Sequence, residues 1–305
     1  MRNSPGSNAP ERLVFAVITC HNEKPSVLRC LHQLGVSDPN ISVVLVDDGS
    51  SDGTAEDVGV EFPDVVVVRG HGDLWWSGAT NLGTQEALKR GATSVIFLNN
   101  DCLLPGRGIG DLIAASELHP KTIVSATIGD LADGSPVSFG GQFTKTGVDY
   151  ILSEPPTDAD GLATVDWLPG HAVVMPSTVF SDAGFCDAVR FPQYFGDTDF
   201  FLRARRAGYR LTVMPSIMVL NDRSQTGLRL KYPIRPKNLW TVLTHQRSAL
   251  RVTDNVRFFM RHRDTLSMKQ LVGRYQIIPE VLAHEFIDKT NLRGVVRRIR
   301  RRKNT

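Results

Sequence analysis

Acidic and amide side chains follow three apolar runs in the first third of the chain. They are HNE at 21–23 after LVFAVITC, DDGSSDGT at 47–54 after ISVVLV, and NND at 99–101 after SVIFL. Polar groups in apolar surroundings destabilise a fold unless they are hydrogen-bonded or lie at an exposed edge. Each group is therefore either an ordinary turn or a turn that holds a ligand.

The apolar pattern predicts the elements that position these groups. Strands are predicted at 13–19, 41–46, 65–69 and 94–98. Their continuous Val and Ile residues indicate strands covered on both faces, as in a parallel sheet, and segments at 27–34 and 78–91 read as connecting helices. The fold class is therefore α/β. In such sheets ligands collect beyond the carboxyl ends of the strands, which is where the three polar groups fall.

A second region follows this half of the chain. It is predicted to hold a helix at 109–118, a strand at 122–126, a glycine-rich hairpin at 138–147, a strand at 171–175 and a helix at 197–208. Asp197 opens the last helix and Gly208 closes it, since acidic residues favour a helix N-terminus and glycine favours its end. From about residue 235 the chain is predicted to form basic helical segments.

The composition of the 305 residues is that of an ordinary globular enzyme. Apolar residues make up 41% and charged residues 22%, which argues against disorder. No apolar run reaches the roughly 18 to 20 residues of a membrane span. Residues 1–12, expected to be a flexible leader, lack the apolar segment of a secretory signal. Four scattered cysteines without a C-x-x-C pair fit reduced, buried thiols, and we expect a cytoplasmic protein.

Basic residues concentrate in the last part of the chain. Residues 224–305 carry 19 Lys and Arg against 5 Asp and Glu, a net charge of +14, whereas residues 1–223 carry 16 against 27, a net charge of −11. The basic segment is either a solvated helix surface or a peripheral contact with anionic lipid headgroups, where each basic residue contributes about 1 kcal/mol. Nucleic acid is the weakest alternative, because no recognition module accompanies the charge.

Two of the acidic groups suit a nucleotide and a cation. Asp47 and Asp48 are either turn residues or acceptors for a base or ribose. A dinucleotide cofactor is disfavoured, because no glycine-rich phosphate loop follows the first strand. Asp101 is either a turn residue or a cation ligand. A diphosphate beside acidic loops is repelled unless a cation intervenes, and Mg²⁺ commonly binds one carboxylate, phosphates and waters.

Two acidic residues, Asp197 and Asp199, lie at the predicted start of a helix, where one would be enough to stabilise the helix end. A single Asp there is explained by capping and by the helix dipole. Two of them at i and i+2, after the aromatic turn FPQYF, make one a candidate catalytic base. Asp199 can instead pair with Arg203 at i+4.

Three further side chains leave two interpretations open. Trp75 and Trp76 are either core residues or a stacking platform for a base or sugar ring. His171, after the sequence LPG, is either a structural histidine or a residue in contact with substrate.

Together these motifs resemble glycosyltransferase family 2, the inverting enzymes with a GT-A fold that include rhamnosyltransferase-like bacterial members. The resemblance covers about residues 13–222 and rests on VITCHNE, VVLVDDGSSDGT, WWSGATNLG, FLNNDC and FGDTDFFLRARRAGYRL. VVLVDDGSSDGT is the most specific match, since it is similar to the nucleotide-binding signature of the family. FLNNDC stands where the family has its Asp-x-Asp metal motif, and the last segment resembles the block that supplies the base.

The resemblance implies a domain organisation and a fold. A GT-A domain spans 13–222, with a nucleotide-binding half at 13–101 and an acceptor half at 102–222. A Rossmann-like, mostly parallel sheet flanked by helices forms its centre. A basic, mainly helical C-terminal extension occupies 223–305.

The resemblance also implies site residues and a reaction. Asp197 is the catalytic base, and a divalent cation, Mg²⁺ or Mn²⁺, is held by Asp101 with Asp222 as a further candidate. The expected nucleotide-binding residues are Thr19, Glu23, Asp47, Asp48, Asn81 and Asn100, and the expected substrate or acceptor residues are Trp75, Trp76, His171 and Asp199. The reaction is transfer of a hexosyl or rhamnosyl group from a UDP- or dTDP-sugar to a hydroxyl of a surface glycan or lipid-linked acceptor, at the inner face of the cytoplasmic membrane.

The chain departs from the family pattern at three places. Asn99 replaces the first acid of the metal motif, and Gly196 replaces a Glu before the base. Asn221 and Asp222 stand where many relatives have a histidine. These departures leave the third metal ligand open.

Two rival functions remain. A nucleotidyltransferase would need a basic, glycine-rich phosphate loop after the first strand, where this chain offers only Lys24. A non-catalytic protein of the same fold would bind nucleotide, sugar or a partner without turnover. The presence of both Asp101 and Asp197 favours an enzyme.

Overall fold

The computed structural model describes residues 12–38, 40–104, 106, 108–222, 236–276 and 278–279. The strands are β1 (Val14–Cys20), β2 (Ile41–Asp47), β3 (Val66–Arg69), β4 (Ser94–Asn99), β5 (Cys102–Leu103), β6 (Thr122–Asp130), β7 (Pro136–Ser138), β8 (Gly141–Thr144), β9 (Gly147–Tyr150), β10 (Ala163–Thr164), β11 (Ala172–Pro176) and β12 (Arg210–Asn221). The helices are α1 (Lys24–Ser37), α2 (Thr54–Glu61), α3 (Trp75–Lys89), α4 (Gly108–Leu118), α5 (Val179–Ala183), α6 (Gly196–Arg206), α7 (Pro236–Thr244), α8 (Val252–Arg261) and α9 (Met268–Arg274). The predicted leader up to residue 11 and the parts of the basic extension at 223–235 and 280–305 lie outside the described residues.

The central sheet is mixed, and its strand order is β10-β12-β6-β11-β4-β1-β2-β3, with β5 paired to β12 and β7 to β6. The four strands predicted from the first hundred residues form one continuous parallel group, β4-β1-β2-β3. The α/β class is thus confirmed. The rest of the sheet differs from a purely parallel arrangement, because β11 runs antiparallel to both of its neighbours, β4 and β6.

The direction of β11 matters for the chemistry. Because this strand is antiparallel, its first residue, Ala172, lies beside Leu98 near the end of β4. The residue before it, His171, therefore lies at the same edge as the polar groups that follow the parallel strands. Helical spacing and strand composition do not encode this direction, so it was not predictable from local pattern.

The core lies on both faces of the sheet, as the continuous apolar strands predict. On one face, alternate β1 residues such as Ala16 and Ile18 pack in a cluster with apolar residues of α1 and α4. On the other face, Phe15 and Val17 pack with residues of α3 and α6. Gly83 of α3 lets this helix approach closely, since a Cβ there would lie 2.6 Å from Cγ1 of Val17.

All four cysteines are buried free thiols, which confirms the expectation drawn from their spacing. Burial raises the pKa of the Cys30 thiol to about 12. Burial likewise raises the pKa of Cys102 well above its ordinary value. These thiols are protonated at neutral pH and behave as small apolar side chains, because the thiolate is the reactive form.

The described part of the chain divides into two compact units. The larger comprises the described residues within 1–142, 150–192 and 196–223, and holds the central sheet. The smaller comprises those within 143–149, 193–195 and 224–305. The predicted boundary at 222 and the further boundary at 101 stay predictions.

The smaller unit has an apolar centre of its own. Phe258 stacks on Phe195 with ring centroids 4.5 Å apart, and a Cβ on Gly147 would lie 2.5 Å from the ring of Phe259. The side-chain amide of Gln270 donates to the carbonyl of Thr144 at 2.6 Å. These contacts hold α8 and α9 against the chain at 143–149. Among the described residues, no helix has both the length and the apolar composition that crossing a membrane requires.

Candidate active site

The three polar groups found in the sequence lie side by side at the carboxyl edge of the parallel strands. Thr19 at the end of β1 is opposite Asn99 at the end of β4. On its other side, Cys20 is opposite Asp47 at the end of β2. The predicted convergence of these strand ends is confirmed.

Asn100 braces two of these strand ends. Its amide nitrogen donates to the carbonyl of Thr19 at 3.1 Å and to Oε2 of Glu23 at 2.6 Å. Three of the residues expected to bind nucleotide therefore bind one another. Their contact with a nucleotide stays a prediction, and the structure adds that Asn100 fixes the Glu23 carboxylate in place.

Asp48 organises the loop that leads into α3. Its Oδ1 accepts from the backbone N–H of Gly72 at 2.7 Å, and its Oδ2 accepts from Leu74 at 2.9 Å and from Trp75 at 3.2 Å. Gly70 permits this approach, because a Cβ there would lie 2.5 Å from Oδ1 of Asp48. Trp75 has a φ of 56°, a left-handed backbone conformation that is uncommon for a bulky residue. Strained conformations of this kind cluster at functional sites.

The DDGSSDGT turn is tied to the loop after β1. Oδ1 of Asp47 accepts from the backbone of Ser50 at 2.8 Å, which is the turn chemistry considered for this residue. Asn22, with a φ of 56°, accepts from the backbone of Ser51 at 2.7 Å. The sequence placed Asn22 in the polar group that follows the first strand but assigned it no role of its own.

Trp75 and Trp76 play different parts. Trp75 is 36% exposed at the start of α3, so its ring remains available for stacking. The indole N–H of Trp76 donates to Oδ1 of Asn99 at 3.1 Å, and its ring lies against Gly170, where a Cβ would be 2.6 Å away. Asn99 is therefore an acceptor for an indole at the position where the family has an acid.

Asn81 holds α3 to a distant loop. Its Nδ2 donates to the carbonyl of Cys186 at 2.8 Å, and its Oδ1 accepts from the N–H of the same residue at 2.9 Å. Both ends of the amide are thus engaged by backbone. This pairing shows what Asn81 does in the fold, and its predicted nucleotide contact remains untested.

Asp101 lies at the end of the NND group and is 8% exposed. Its Oδ1 is buried, and no group among the described residues forms a hydrogen bond with it. Burial raises the pKa of the Asp101 carboxyl above its ordinary value, opposed by the nearby His171 imidazole and, to a smaller extent, by the side-chain amide of Asn221. The Asp101 carbonyl accepts from the N–H of Asp222 at 3.3 Å, which brings the second predicted metal ligand to the same place.

His171 lies near two of the predicted catalytic groups. Its Nδ1 is buried and has no hydrogen-bond partner within the residues that the structure describes. Burial lowers the pKa of His171, and the negative charges of Asp101 and, to a smaller extent, Asp197 oppose that shift. The imidazole therefore lies within electrostatic reach of both carboxylates.

Asp197 is held at the start of α6 by hydrogen bonds to both oxygens. Its Oδ2 accepts from the N–H of Gly170 at 2.9 Å, and its Oδ1 accepts from the N–H of Thr198 at 2.7 Å. Gly196 is required just before it, since a Cβ there would lie 1.9 Å from Oγ of Ser77. This close contact explains why the Glu of the family pattern is absent here.

Asp199 forms the ion pair that the sequence left open as an alternative. It is 0% exposed, and its Oδ2 accepts from Nε of Arg203 at 2.9 Å. The same guanidinium donates to the carbonyls of Ala183 and, at 2.7 Å, of Phe185. The pair with Arg203 is confirmed and gives Asp199 a structural role, while its acceptor contact stays a prediction.

The residues at this edge fit a divalent cation shared with a ligand. Among the described residues, no three or more His, Cys, Asp or Glu side chains are arranged to hold a metal by themselves. Mg²⁺ and related ions are, however, commonly held by one or two carboxylates together with substrate phosphates and waters. The unsatisfied oxygen of Asp101 and the adjacent Asp222 meet that description.

The sequence profile of glycosyl transferase family 2 matches residues 15–139. The match confirms the family resemblance predicted from the motifs. The matched segment contains all three polar groups and Asp101. No curated protein sequence matches the chain.

Solved glycosyltransferase structures share the fold. The structure of GalNAc-T7 with UDP, GalNAc and Mn²⁺ has a TM-score of 0.59 at 17% identity, covering 70% of this chain and 44% of that one. The structure of the mannosyltransferase PcManGT from Pyrobaculum calidifontis with GDP-Man and Mn²⁺ has a TM-score of 0.55 at 17% identity. The match covers 90% of this chain and 71% of that one. The structure of residues 1–349 of S. aureus TarS has a TM-score of 0.53 at 16% identity. The match covers 92% of this chain and 74% of that one. The common architecture is the GT-A fold, and this chain spans less than half the length of the GalNAc-T7 chain.

Removal of the Arg203 guanidinium should destabilise the protein strongly. Arg203→Met leaves the Asp199 carboxylate buried and unpaired, and we expect the free energy of unfolding to fall by about 3–5 kcal/mol. Chemical denaturation followed by circular dichroism measures it. The control is Arg69→Met, which removes an exposed pair with Glu56 and should change little. Equal losses in the two variants would contradict a structural role for the buried pair.

Proposed function

We propose that this chain is an inverting glycosyltransferase that moves a sugar from a nucleoside diphosphate donor to a hydroxyl group. The observation that carries the proposal is that the start of β11 contacts both carboxylate segments: the N–H of Gly170 donates to Asp197, and the carbonyl of His171 accepts from Asn99 and Cys102, on either side of Asp101. One carboxylate suits a cation and diphosphate, and the other suits a proton acceptor. The family match at residues 15–139 supports the same class of reaction.

The donor class is supported by proteins of the same fold. The GalNAc-T7 structure contains UDP, and the mannosyltransferase structure contains GDP-Man. Both contain Mn²⁺. We propose a UDP- or dTDP-sugar donor carrying a hexose or rhamnose, with Trp75 as the exposed ring against which the base or sugar stacks.

The cation site is proposed at Asp101, with Asp222 beside it. A divalent cation bound there would neutralise the charge that develops on the leaving diphosphate. Oδ1 of Asp101 has no hydrogen-bond partner among the described residues, so a cation could bind this oxygen without displacing one of them. Mg²⁺ and Mn²⁺ both fit such a carboxylate.

The proton is proposed to go to Asp197. A carboxylate oxygen accepts the proton of the acceptor hydroxyl, whose oxygen attacks the anomeric carbon from the face opposite the diphosphate. The bond between that carbon and the phosphate oxygen breaks, and the anomeric configuration inverts. The hydrogen bonds from Gly170 and Thr198 orient the carboxylate for this role.

The acceptor is proposed to be a glycan or lipid-linked hydroxyl on the cytoplasmic side of a membrane. The smaller unit supports this placement through exposed apolar and basic residues. On α8, Met260 is 63% exposed next to the exposed Arg261, and on α7 Trp240 is 78% exposed. Such a mixture suits the headgroup region of an anionic membrane, where basic residues attract and apolar ones insert.

Nucleotide binding should depend on a cation and on Asp101. Calorimetry with UDP, dTDP, GDP and CDP, with and without Mn²⁺ or Mg²⁺, is expected to show cation-dependent binding of one nucleotide to the wild type. Asp101→Ala should lose that dependence, because it removes the carboxylate that shares the cation with the diphosphate. Failure of every nucleotide to bind folded protein would exclude the transferase, and binding without turnover would favour the non-catalytic alternative.

Asp197→Asn should separate binding from chemistry. General-base assistance contributes roughly 10²–10⁴-fold, so we expect transfer to slow by about that factor while nucleotide affinity is unchanged. The assay follows product formation from the donor identified by calorimetry, and the anomeric configuration of the product is read by NMR. Asp111→Asn, an exposed acid on α4, is the matched control and should retain activity. Wild-type rates in Asp197→Asn would exclude it as the base.

Membrane contact should require both charge and apolar side chains. The protein should co-sediment with vesicles of phosphatidylglycerol and phosphatidylcholine. It should not co-sediment with vesicles of phosphatidylcholine alone. Retention here means the fraction of protein found with the vesicles. High salt should weaken retention, since exposed charges are screened. Trp240→Ser with Met260→Ser should weaken it as well, while Val189→Ser, an exposed control in the larger unit, should not. Equal retention by both vesicle types would rule out headgroup recognition.

A further inference from the structure

We propose that His171 is a ligand of the divalent cation, so that an imidazole and the carboxylate of Asp101 hold the ion together. The inference deepens the proposed function, on which it rests, by assigning a ligand that the Asp-x-Asp pattern does not contain. It also explains how the site could hold a cation although Asn99 replaces the first acid of that pattern.

The first observation is a group of unsatisfied buried atoms. Among the described residues, buried side-chain nitrogen and oxygen atoms without hydrogen-bond partners belong to only five residues, and Asp101, His171 and Asn221 are three of them. Buried polar atoms in folded proteins are nearly always bonded, so each exception calls for an explanation. Three exceptions in neighbouring segments point to a ligand that the protein alone does not supply.

The second observation is the backbone that brings these three residues together. The carbonyl of His171 accepts from the N–H of Asn99 at 2.9 Å and from the thiol of Cys102 at 3.6 Å. His171 is thereby fixed beside the short turn that contains Asp101. Asn221 is opposite Cys102 in the pairing of β12 with β5, which brings it to the same turn.

The third observation concerns Asn99. This residue stands in place of the first acid of the metal motif, but its Oδ1 accepts from the indole of Trp76 at 3.1 Å. It therefore serves to position Trp76. A second protein ligand has to come from another element. His171, whose Nδ1 has no hydrogen-bond partner among the described residues, is bonded through its carbonyl to Asn99 and Cys102, on either side of Asp101.

The chemistry of the two atoms suits a cation. Asp101 offers a lone pair of Oδ1 and His171 a lone pair of Nδ1, and neither atom has a hydrogen-bond partner in the described part of the chain. Imidazole suits transition metals, whereas Mg²⁺ prefers oxygen ligands, so the pair should bind Mn²⁺ more tightly than Mg²⁺. The diphosphate and waters would complete the coordination, which is consistent with the lack of a three-residue metal group among the described side chains.

The direct test is electron spin-echo envelope modulation of Mn²⁺ bound to the full chain, first with Mn²⁺ alone and then with UDP added. This measurement detects the ¹⁴N nucleus of a coordinated imidazole and does not depend on turnover. We expect a ¹⁴N coupling in the wild type. Bound Mn²⁺ without that coupling, or no Mn²⁺ binding in either condition, would overturn the proposal.

Three variants complete the test, each checked for folding by circular dichroism. His171→Ala should weaken Mn²⁺ binding at least roughly tenfold and abolish the coupling. His171→Asp should abolish the coupling while retaining most of the affinity, because a carboxylate replaces the nitrogen ligand. His32→Gln, which removes an exposed imidazole paired with Glu61, should change neither. Retention of the coupling in His171→Ala would assign it to another histidine and contradict the proposal.

The outcomes separate this inference from the proposed function. If nucleotides bind and transfer occurs but the ¹⁴N coupling is absent, the transferase stands and His171 is better explained as a hydrogen-bond partner of the diphosphate. If the coupling is present but no nucleotide binds, the metal site stands and the transferase fails.

Discussion

The antiparallel entry of β11 beside β4 is the constraint on which the site depends. It places the start of β11 at the edge where the parallel strands end, so that Gly170 and His171 lie among the polar groups of those strands. The N–H of Gly170 then binds Asp197, and the carbonyl of His171 binds Asn99. A parallel strand in this position would carry the same two residues to the opposite edge of the sheet.

Buried polar contacts keep this edge rigid. Asn100 joins the ends of β1 and β4, and Asp48 holds the start of α3 through three backbone N–H groups. Trp76 joins α3 to β4 through Asn99, and the ion pair of Asp199 with Arg203 secures α6 behind Asp197. Catalytic groups act best when their supporting residues are themselves fixed, since preorganised groups need no rearrangement at the moment of reaction. Several residues that looked like ligands in the sequence thus form the support for those that remain available.

Much of the nucleotide-binding half was predictable because its signals are local. The strands predicted at 41–46 and 94–98 differ from the observed ones by a single residue at one end. The helix predicted from Asp197 begins one residue earlier, at Gly196. Apolar runs and helix-opening acids report such features directly. The meeting of three polar strand ends was also predictable, because neighbouring parallel strands end at the same edge of a sheet.

The sequence by itself determined the α/β class, the parallel strands, the family and the pairing open to Asp199, because each depends on residues close together in the chain. Only the tertiary structure decided which polar side chains already form hydrogen bonds within the protein. Asn81 binds the backbone of a residue 105 positions away, and Asn99 is occupied by an indole 23 positions away. It also decided that His171 lies by Asp101. Such contacts join distant segments, and which segments meet depends on the packing of the whole sheet and not on any local pattern.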